Sequence, residues 1–130
     1  MNARLSTSQK GSVLVEMAII LPVFLMIFFG MVTFSIALYN KTILTIATRE
    51  GARAGAIADD TVRAESIAES IAASFCNDNL IFFDTPVVIN ADILSDYLHV
   101  TARMESPVYF ILGASQLTLS ASNLMRIEEK

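Results

Sequence analysis

Met17-Ala-Ile-Ile-Leu-Pro-Val-Phe-Leu-Met-Ile-Phe-Phe-Gly-Met-Val-Thr-Phe-Ser-Ile-Ala-Leu-Tyr39 contains no charged residue, and Asn40 extends the uncharged stretch by one. As a helix, this run is about 34 Å long at ~1.5 Å per residue, enough to cross a hydrocarbon core of roughly 30 Å. The whole chain has 130 residues, of which 54% are apolar and 17% charged, with a mean hydropathy of +0.56. That balance is too apolar for an ordinary soluble domain, and the excess is concentrated in this run. A buried helix in so short a chain would rarely need such length, so the stretch predicts a single membrane span.

The flanks set an orientation. Residues before the span carry Arg4 and Lys10 and no acid until Glu16. On the far side Lys41, Arg49 and Arg53 alternate with Glu50, Asp59 and Asp60. The positive-inside tendency therefore predicts a cytoplasmic N-terminus and an exported C-terminal part. The formal charge is −4. Loss of Met1 to Gly11 would take Lys plus Arg from 9 to 7, leave Asp plus Glu at 13 and give −6. An acidic exported domain without a basic cluster does not point to nucleic acid.

Beyond the span the helical period continues. Ile43, Leu44, Ala47, Gly51, Ala54 and Ala58 recur every three or four residues, so one helix is expected from about Ser12 to Ala58. Ala47, Gly51 and Gly55 make a ridge of small residues. Each glycine costs about 1 kcal/mol against alanine inside a helix, so close packing should compensate. The protein's own sheet is the first candidate partner and a neighbouring subunit the second. Asp59-Asp-Thr61 reads as a break and an N-cap cluster. After it Ala64, Ile67, Ala68, Ile71, Ala72 and Phe75 form a stripe opposite Arg63, Glu65, Glu69 and Ser70. This predicts a second helix from about Val62 to Phe75.

The period then changes to two. Leu80–Phe83 and Pro86–Ile89 are short apolar runs. Tyr97–Met104 alternates, with Leu98, Val100, Ala102 and Met104 on one face, and Leu117–Met125 does the same. These are expected as half-buried antiparallel strands, packed on the extramembrane half of the long helix. Pro107-Val-Tyr-Phe-Ile-Leu-Gly113 is apolar without alternation. It reads either as a buried strand or as a loop tip that touches membrane or a partner. The fold class is thus α+β: a long N-terminal membrane-spanning helix continuing into a small domain with a second helix and an antiparallel sheet. Residues 1–11 form a leader, 12–40 a transmembrane helix and 41–130 an extracytoplasmic domain. That domain is small enough to be marginally stable alone.

Lys10-Gly-Ser-Val-Leu-Val-Glu16 carries the chemistry. A Gly behind a short basic leader, followed five residues later by Glu, is how class III (prepilin-type) signals look. Gly11 is the least hindered residue at a bond that a membrane-embedded peptidase must reach. Cleavage after Gly11 would give Ser12 a free ammonium and delete both leader cations. Glu16 lies only about 6 Å further along the helix. A carboxylate inside a bilayer costs about 2.5–3.5 kcal/mol at the centre and less near an edge. Glu16 can simply mark the headgroup boundary, or it can pair with the Ser12 ammonium of the same or an adjacent subunit and fix axial register. A carboxylate near a helix N-terminus also suits the macrodipole. Pro22 cannot bond back to Ala18, which predicts a local loosening. That loosening suits extraction from the bilayer, and equally a tolerated membrane proline.

Gly11, then Glu16-Met-Ala-Ile-Ile-Leu-Pro22, the Phe/Met-rich span, and Ala47-Thr-Arg-Glu-Gly-Ala-Arg-Ala-Gly55 together resemble the TadE-like family, pseudopilins of tight-adherence (Flp-type) pilus systems. Leu117-Thr-Leu-Ser-Ala-Ser-Asn-Leu-Met-Arg126 is similar to the family's closing strand, whereas residues from Asp59 to Gly113 carry no resemblance. The resemblance implies a minor, pilin-like subunit of a bacterial inner membrane. It also implies cleavage by a prepilin peptidase between Gly11 and Ser12, and assembly with other pilin-like subunits on a pilus assembly platform. The alternative is an unprocessed, signal-anchored scaffold of a secretion or pilus assembly machine.

No catalytic residues, cofactor-binding residues or metal ligands are expected. His99 is lone, with no Cys or His at ligand spacing. Ser/His/Asp, phosphate-loop and paired-carboxylate patterns do not stand out. Cys76 is the single cysteine, so no intrachain disulfide can form. It reads as a small buried apolar side chain near a helix end.

Overall fold

The computed structural model describes residues 6–58, 61–83, 85–110 and 113–127. The first five leader residues and the Asp59–Asp60 part of the expected cap cluster lie outside the described residues. Two helices precede three strands: α1 (Ser6–Ala56), α2 (Thr61–Asn79), β1 (Val88–Leu94), β2 (Tyr97–Phe110) and β3 (Gly113–Arg126). The strands form an antiparallel sheet in the order β1-β2-β3, so the α+β expectation holds.

One helix does carry both the apolar run and the first layer of the domain. It begins at Ser6, earlier than expected, runs through Pro22 without interruption, and ends at Ala56. The Ala58 N–H closes the final turn on the Gly55 carbonyl at 3.1 Å. From Val13 to Tyr39 nearly every large apolar side chain of α1 is exposed. An 18-residue window within it has a hydropathy of 2.6 and is 0% buried. A core helix would bury such a surface; this one presents it on all sides, as a lipid-facing helix does. The hydroxyls within the run are satisfied internally. Thr33 donates to the Phe29 carbonyl and Ser35 to the Met31 carbonyl, each at 2.8 Å, so neither hydroxyl is left as an unpaired donor.

Burial begins at Ala37. Ile43, Leu44 and Ala47 of α1 pack with Ala72 and Cys76 of α2 and with Ala102, Met104, Leu119 and Ala121 of the sheet. A second cluster joins Ala52 and Ala68 to Ala91, Leu98 and Val100. The alternation expected for β2 is realised: Leu98, Val100, Ala102 and Met104 are buried, whereas Thr101 and Arg103 face outward. His99 lies on that outer face, opposite Asp92 of β1. Burial pushes the Cys76 thiol up to about 11, so at neutral pH it is the unreactive protonated form.

The small-residue ridge packs differently from the leading expectation. A Cβ built at Gly51 would meet the Ala68 carbonyl oxygen at 2.6 Å and Ala72 Cβ at 3.0 Å. At Gly55 it would meet the Ala64 carbonyl oxygen at 2.7 Å, Ala68 Cβ at 3.0 Å and the Leu98 side chain. The principal partner of the two glycines is therefore α2, with the Leu98 side chain of the sheet also against Gly55, whereas Ala47 packs toward both α2 and the sheet. Alanines recurring every fourth residue on α2 bring its backbone against the two glycines, and no side chain larger than hydrogen fits there.

Four further expectations are corrected. Helix α2 runs one turn past Phe75, because the Asn79 side chain donates to the Phe75 carbonyl at 2.9 Å. The Leu80 N–H extends the ladder to Cys76 at 2.9 Å, and Leu80 itself is buried in the core. Leu80–Phe83 is consequently a bend and not a strand. The Pro86–Ile89 strand begins only at Val88 but continues to Leu94. Finally, Glu65 and Glu69 are not on a purely solvated face. The Ala91 N–H donates to Glu69 Oε1 at 3.0 Å and the Ile93 N–H to Glu65 Oε1 at 3.1 Å. These carboxylates occupy donors on the open edge of β1, which would otherwise be free to pair with another chain. On the opposite edge the Lys41 ammonium donates to the Ser120 carbonyl of β3.

Candidate processing and assembly site

Gly11, Ser12 and Glu16 all lie within α1 and all are exposed. The Gly11–Ser12 bond is inside a helix, so any peptidase acting there would have to unwind it locally. A glycine there lowers the cost of unwinding by about 1 kcal/mol relative to alanine. Packing does not demand Gly11: a Cβ built on it meets nothing within 4 Å, in contrast to Gly51 and Gly55. Its small size is thus available for access to the bond.

Ser12 and Glu16 are four residues apart on a continuous helix and share one face. A cut before Ser12 would leave an ammonium one turn from the carboxylate. Glu16 would then sit near the positive end of the helix macrodipole. Glu16 also bounds the apolar run on its N-terminal side as Lys41 bounds it on the other, with 24 uncharged residues between them.

The outer end of the run holds residues that sequence reasoning passed over. Asn40 is fully buried. Its Nδ2 donates to the Ile81 carbonyl at 2.8 Å, and its Oδ1 accepts from the Ile81 N–H at 3.2 Å. The Tyr39 hydroxyl donates to the Asn79 carbonyl at 3.2 Å. Two consecutive α1 residues thereby clamp the end of α2 to the point where the apolar run stops. The available signal was a lone amide closing a 23-residue apolar stretch. Asn40→Leu should destabilise the domain by about 1–2 kcal/mol, because both Ile81 backbone groups lose their partner. Thermal melts of the full chain in detergent should show it as a drop of about 4–8 °C per kcal/mol. Asn40→Asp keeps the acceptor for the Ile81 N–H but turns a carboxylate oxygen toward the Ile81 carbonyl at a fully buried position and should lose at least as much.

Fold and site together define a class: a protein with one exposed apolar helix at its N-terminus, the same helix serving as the spine of a small α+β domain. Residues 11–53 match the family model for TadE-like protein. The match opens on Gly11, takes in Glu16, Pro22 and the whole apolar run, and closes at Arg53. The resemblance read from the sequence is upheld over these residues; the similar closing strand at Leu117–Arg126 lies beyond them. Neither the curated proteins nor the solved structures gave a match to the chain.

Proposed function

We propose that the chain is a pilin-like membrane subunit, a pseudopilin or minor pilin of a tight-adherence pilus system. In this reading a prepilin peptidase cleaves it between Gly11 and Ser12. It is then held by α1 in the bacterial inner membrane, with residues from Lys41 onward outside. Its role is structural and not catalytic. The supporting observation is the exposed apolar surface of α1 continuous with a packed domain, preceded by a glycine that packing does not require and lying within the TadE-like match.

The physical logic has two stages. In the bilayer, lipid covers the apolar faces of α1. On leaving the bilayer those faces need equivalent cover, which the α1 helices of other pilin-like subunits supply on an assembly platform. Loss of the leader removes Arg4 and Lys10, the cations that hold the chain's end on the cytoplasmic side. The new Ser12 ammonium and Glu16 then set the axial position of one helix against its neighbours.

N-terminal sequencing of native material is expected to begin at Ser12. Gly11→Val, which crowds the bond with a β-branched side chain, should leave a precursor longer by eleven residues. A native chain beginning at Met1 or Asn2 would instead identify an unprocessed, signal-anchored scaffold and overturn the processing reading.

A further inference from the structure

Two apolar elements flank α1 where its apolar run ends. The first is the bend after α2. Ile81, tied to Asn40, is 39% exposed, and Phe82 beside it is 74% exposed. Phe82 also has a φ of 49°, a left-handed backbone that a bulky residue adopts only under constraint. The fold thus holds a strained aromatic residue in the open, next to the Ile81 that is bonded to Asn40, the last residue of the uncharged stretch.

The second element is the far part of the β2–β3 hairpin. Strand β1 pairs with β2 only from Leu94↔Tyr97 to Val88↔Arg103. Past Arg103 and Ser120, β2 and β3 pair with each other alone, down to Phe110↔Gly113. This two-stranded ribbon points toward the N-terminal end of α1. From Ser106 to Leu117 the sequence carries no charge. Between ribbon and helix lies a cavity of about 430 Å³, lined on the ribbon by Val108, Ser115 and Leu117 and on α1 by Gly30, Thr33 and Phe34, among others. Thr33 is eight residues before Lys41, hence about 12 Å further into the apolar run at ~1.5 Å per residue. Leu117, on the core-facing side of β3, remains 42% exposed, because the domain's core does not extend that far.

We infer that these two elements form a collar around α1 that rests in the acyl–headgroup boundary of the outer leaflet, with a lipid acyl chain occupying the cavity between ribbon and helix. The inference rests on the reading of α1 as a membrane span. The occupant follows from continuity: the ribbon lies alongside helix residues that the span places in lipid, and both elements are apolar on the side that faces it. Depth is bounded by the backbone. A two-stranded ribbon has unpaired N–H and C=O groups on its edges, which cannot be left in hydrocarbon. The 24-residue uncharged run is ~36 Å long and exceeds a ~30 Å core by about 3 Å at each end, so Thr33 lies roughly 9 Å inside the boundary, at the deep end of the ~5–10 Å reached by interfacial elements. Such a collar fixes the domain's tilt and rotation on the bilayer, which a single helix alone would leave free.

The test uses the full chain with Cys76→Ala, reconstituted in phosphatidylethanolamine/phosphatidylglycerol vesicles. Single cysteines at Phe82, Gln116, Ser122 and Phe28 carry an environment-sensitive fluorophore. Gln116, which also lines the cavity, and Ser122 are both exposed on β3, about 20 Å apart at ~3.4 Å per residue. Labels at Phe82 and Gln116 are expected to be quenched by nitroxide lipids and to lose most of the iodide quenching seen at Ser122, while Phe28 responds to nitroxide lipid alone. If Phe82 or Gln116 is as open to iodide as Ser122 while Phe28 remains lipid-quenched, the collar is overturned and the span stands. Shielding from iodide without nitroxide quenching means that protein, such as a second copy, covers the surface, and also overturns it. Iodide access at Phe28 would remove the span itself and the collar with it.

Discussion

Glu16→Leu should abolish co-isolation of the chain with other pilin-like subunits, and with it surface pili, while membrane insertion and cleavage persist. Insertion should be at least as good as in the natural chain, because the substitution removes the only charge between Lys10 and Lys41 and with it a cost of up to about 3 kcal/mol. Cleavage should continue because the leader and the Gly11–Ser12 bond are untouched. On the proposed processing, what disappears is an attraction between the Glu16 carboxylate and the Ser12 ammonium. At 4 Å such a pair is worth about 1 kcal/mol in bulk water but ~4 kcal/mol at an effective dielectric of 20. The pair therefore matters most where lipid or neighbouring helices exclude water. Glu16→Gln keeps the shape and some hydrogen bonding and should be impaired less. A Glu16→Leu chain that is processed, partners normally and supports full piliation would reduce Glu16 to a boundary marker.

Gly55→Val should strongly destabilise the extramembrane domain while leaving the chain inserted. The first added carbon already lies 2.7 Å from a backbone oxygen of α2 and 3.0 Å from Ala68 Cβ. Backbone cannot swing aside as a long side chain can, so α1 and α2 must separate and Leu98, fully buried between them and the sheet, must lose its seat. Overpacking of this kind costs about 1–3 kcal/mol and occasionally more. Alanine's helix propensity returns only about 1 kcal/mol against glycine, and a β-branched residue returns less. A domain of this size has roughly 5–10 kcal/mol in total. Limited proteolysis of the full chain in vesicles should therefore cut the Gly55→Val domain rapidly, with Gly55→Ala intermediate. Gly30→Val, whose added Cβ meets nothing within 4 Å, touches the ribbon cavity but not the packed core, and its domain should resist protease as the natural chain's does. Equal resistance of Gly55→Val and Gly30→Val would show that the α1–α2 contact is looser than these distances require.

The two glycine classes illustrate how far the sequence could be read. Gly11, Gly51 and Gly55 look alike in a helical pattern, and propensity alone gives each the same cost. Only the neighbours distinguish them: open space at Gly11, the α2 backbone at Gly51 and Gly55. Glu65 and Glu69 were legible as the polar side of an amphipathic helix. Their bonds to β1 were not, because they join residues 22 and 28 positions apart and depend on where the sheet edge falls. Asn40 and Ile81, 41 positions apart, are a further case.

The sequence by itself determined the features that rest on composition and short-range period. These are one charge-free helix long enough to span a bilayer, its continuation as an amphipathic helix, a second helix, alternating strands, and a Gly–Glu spacing at the N-terminus. They are legible because lipid, helix and sheet each impose a local rule on which residues follow which. The tertiary structure alone decided which helix the small-residue ridge meets and how both sheet edges are closed. It also decided that the β2–β3 ribbon lies beside the apolar run and not over the core. Each of these depends on contacts between residues distant in the chain. Such contacts are fixed by the joint packing of all the elements, and no local pattern encodes them.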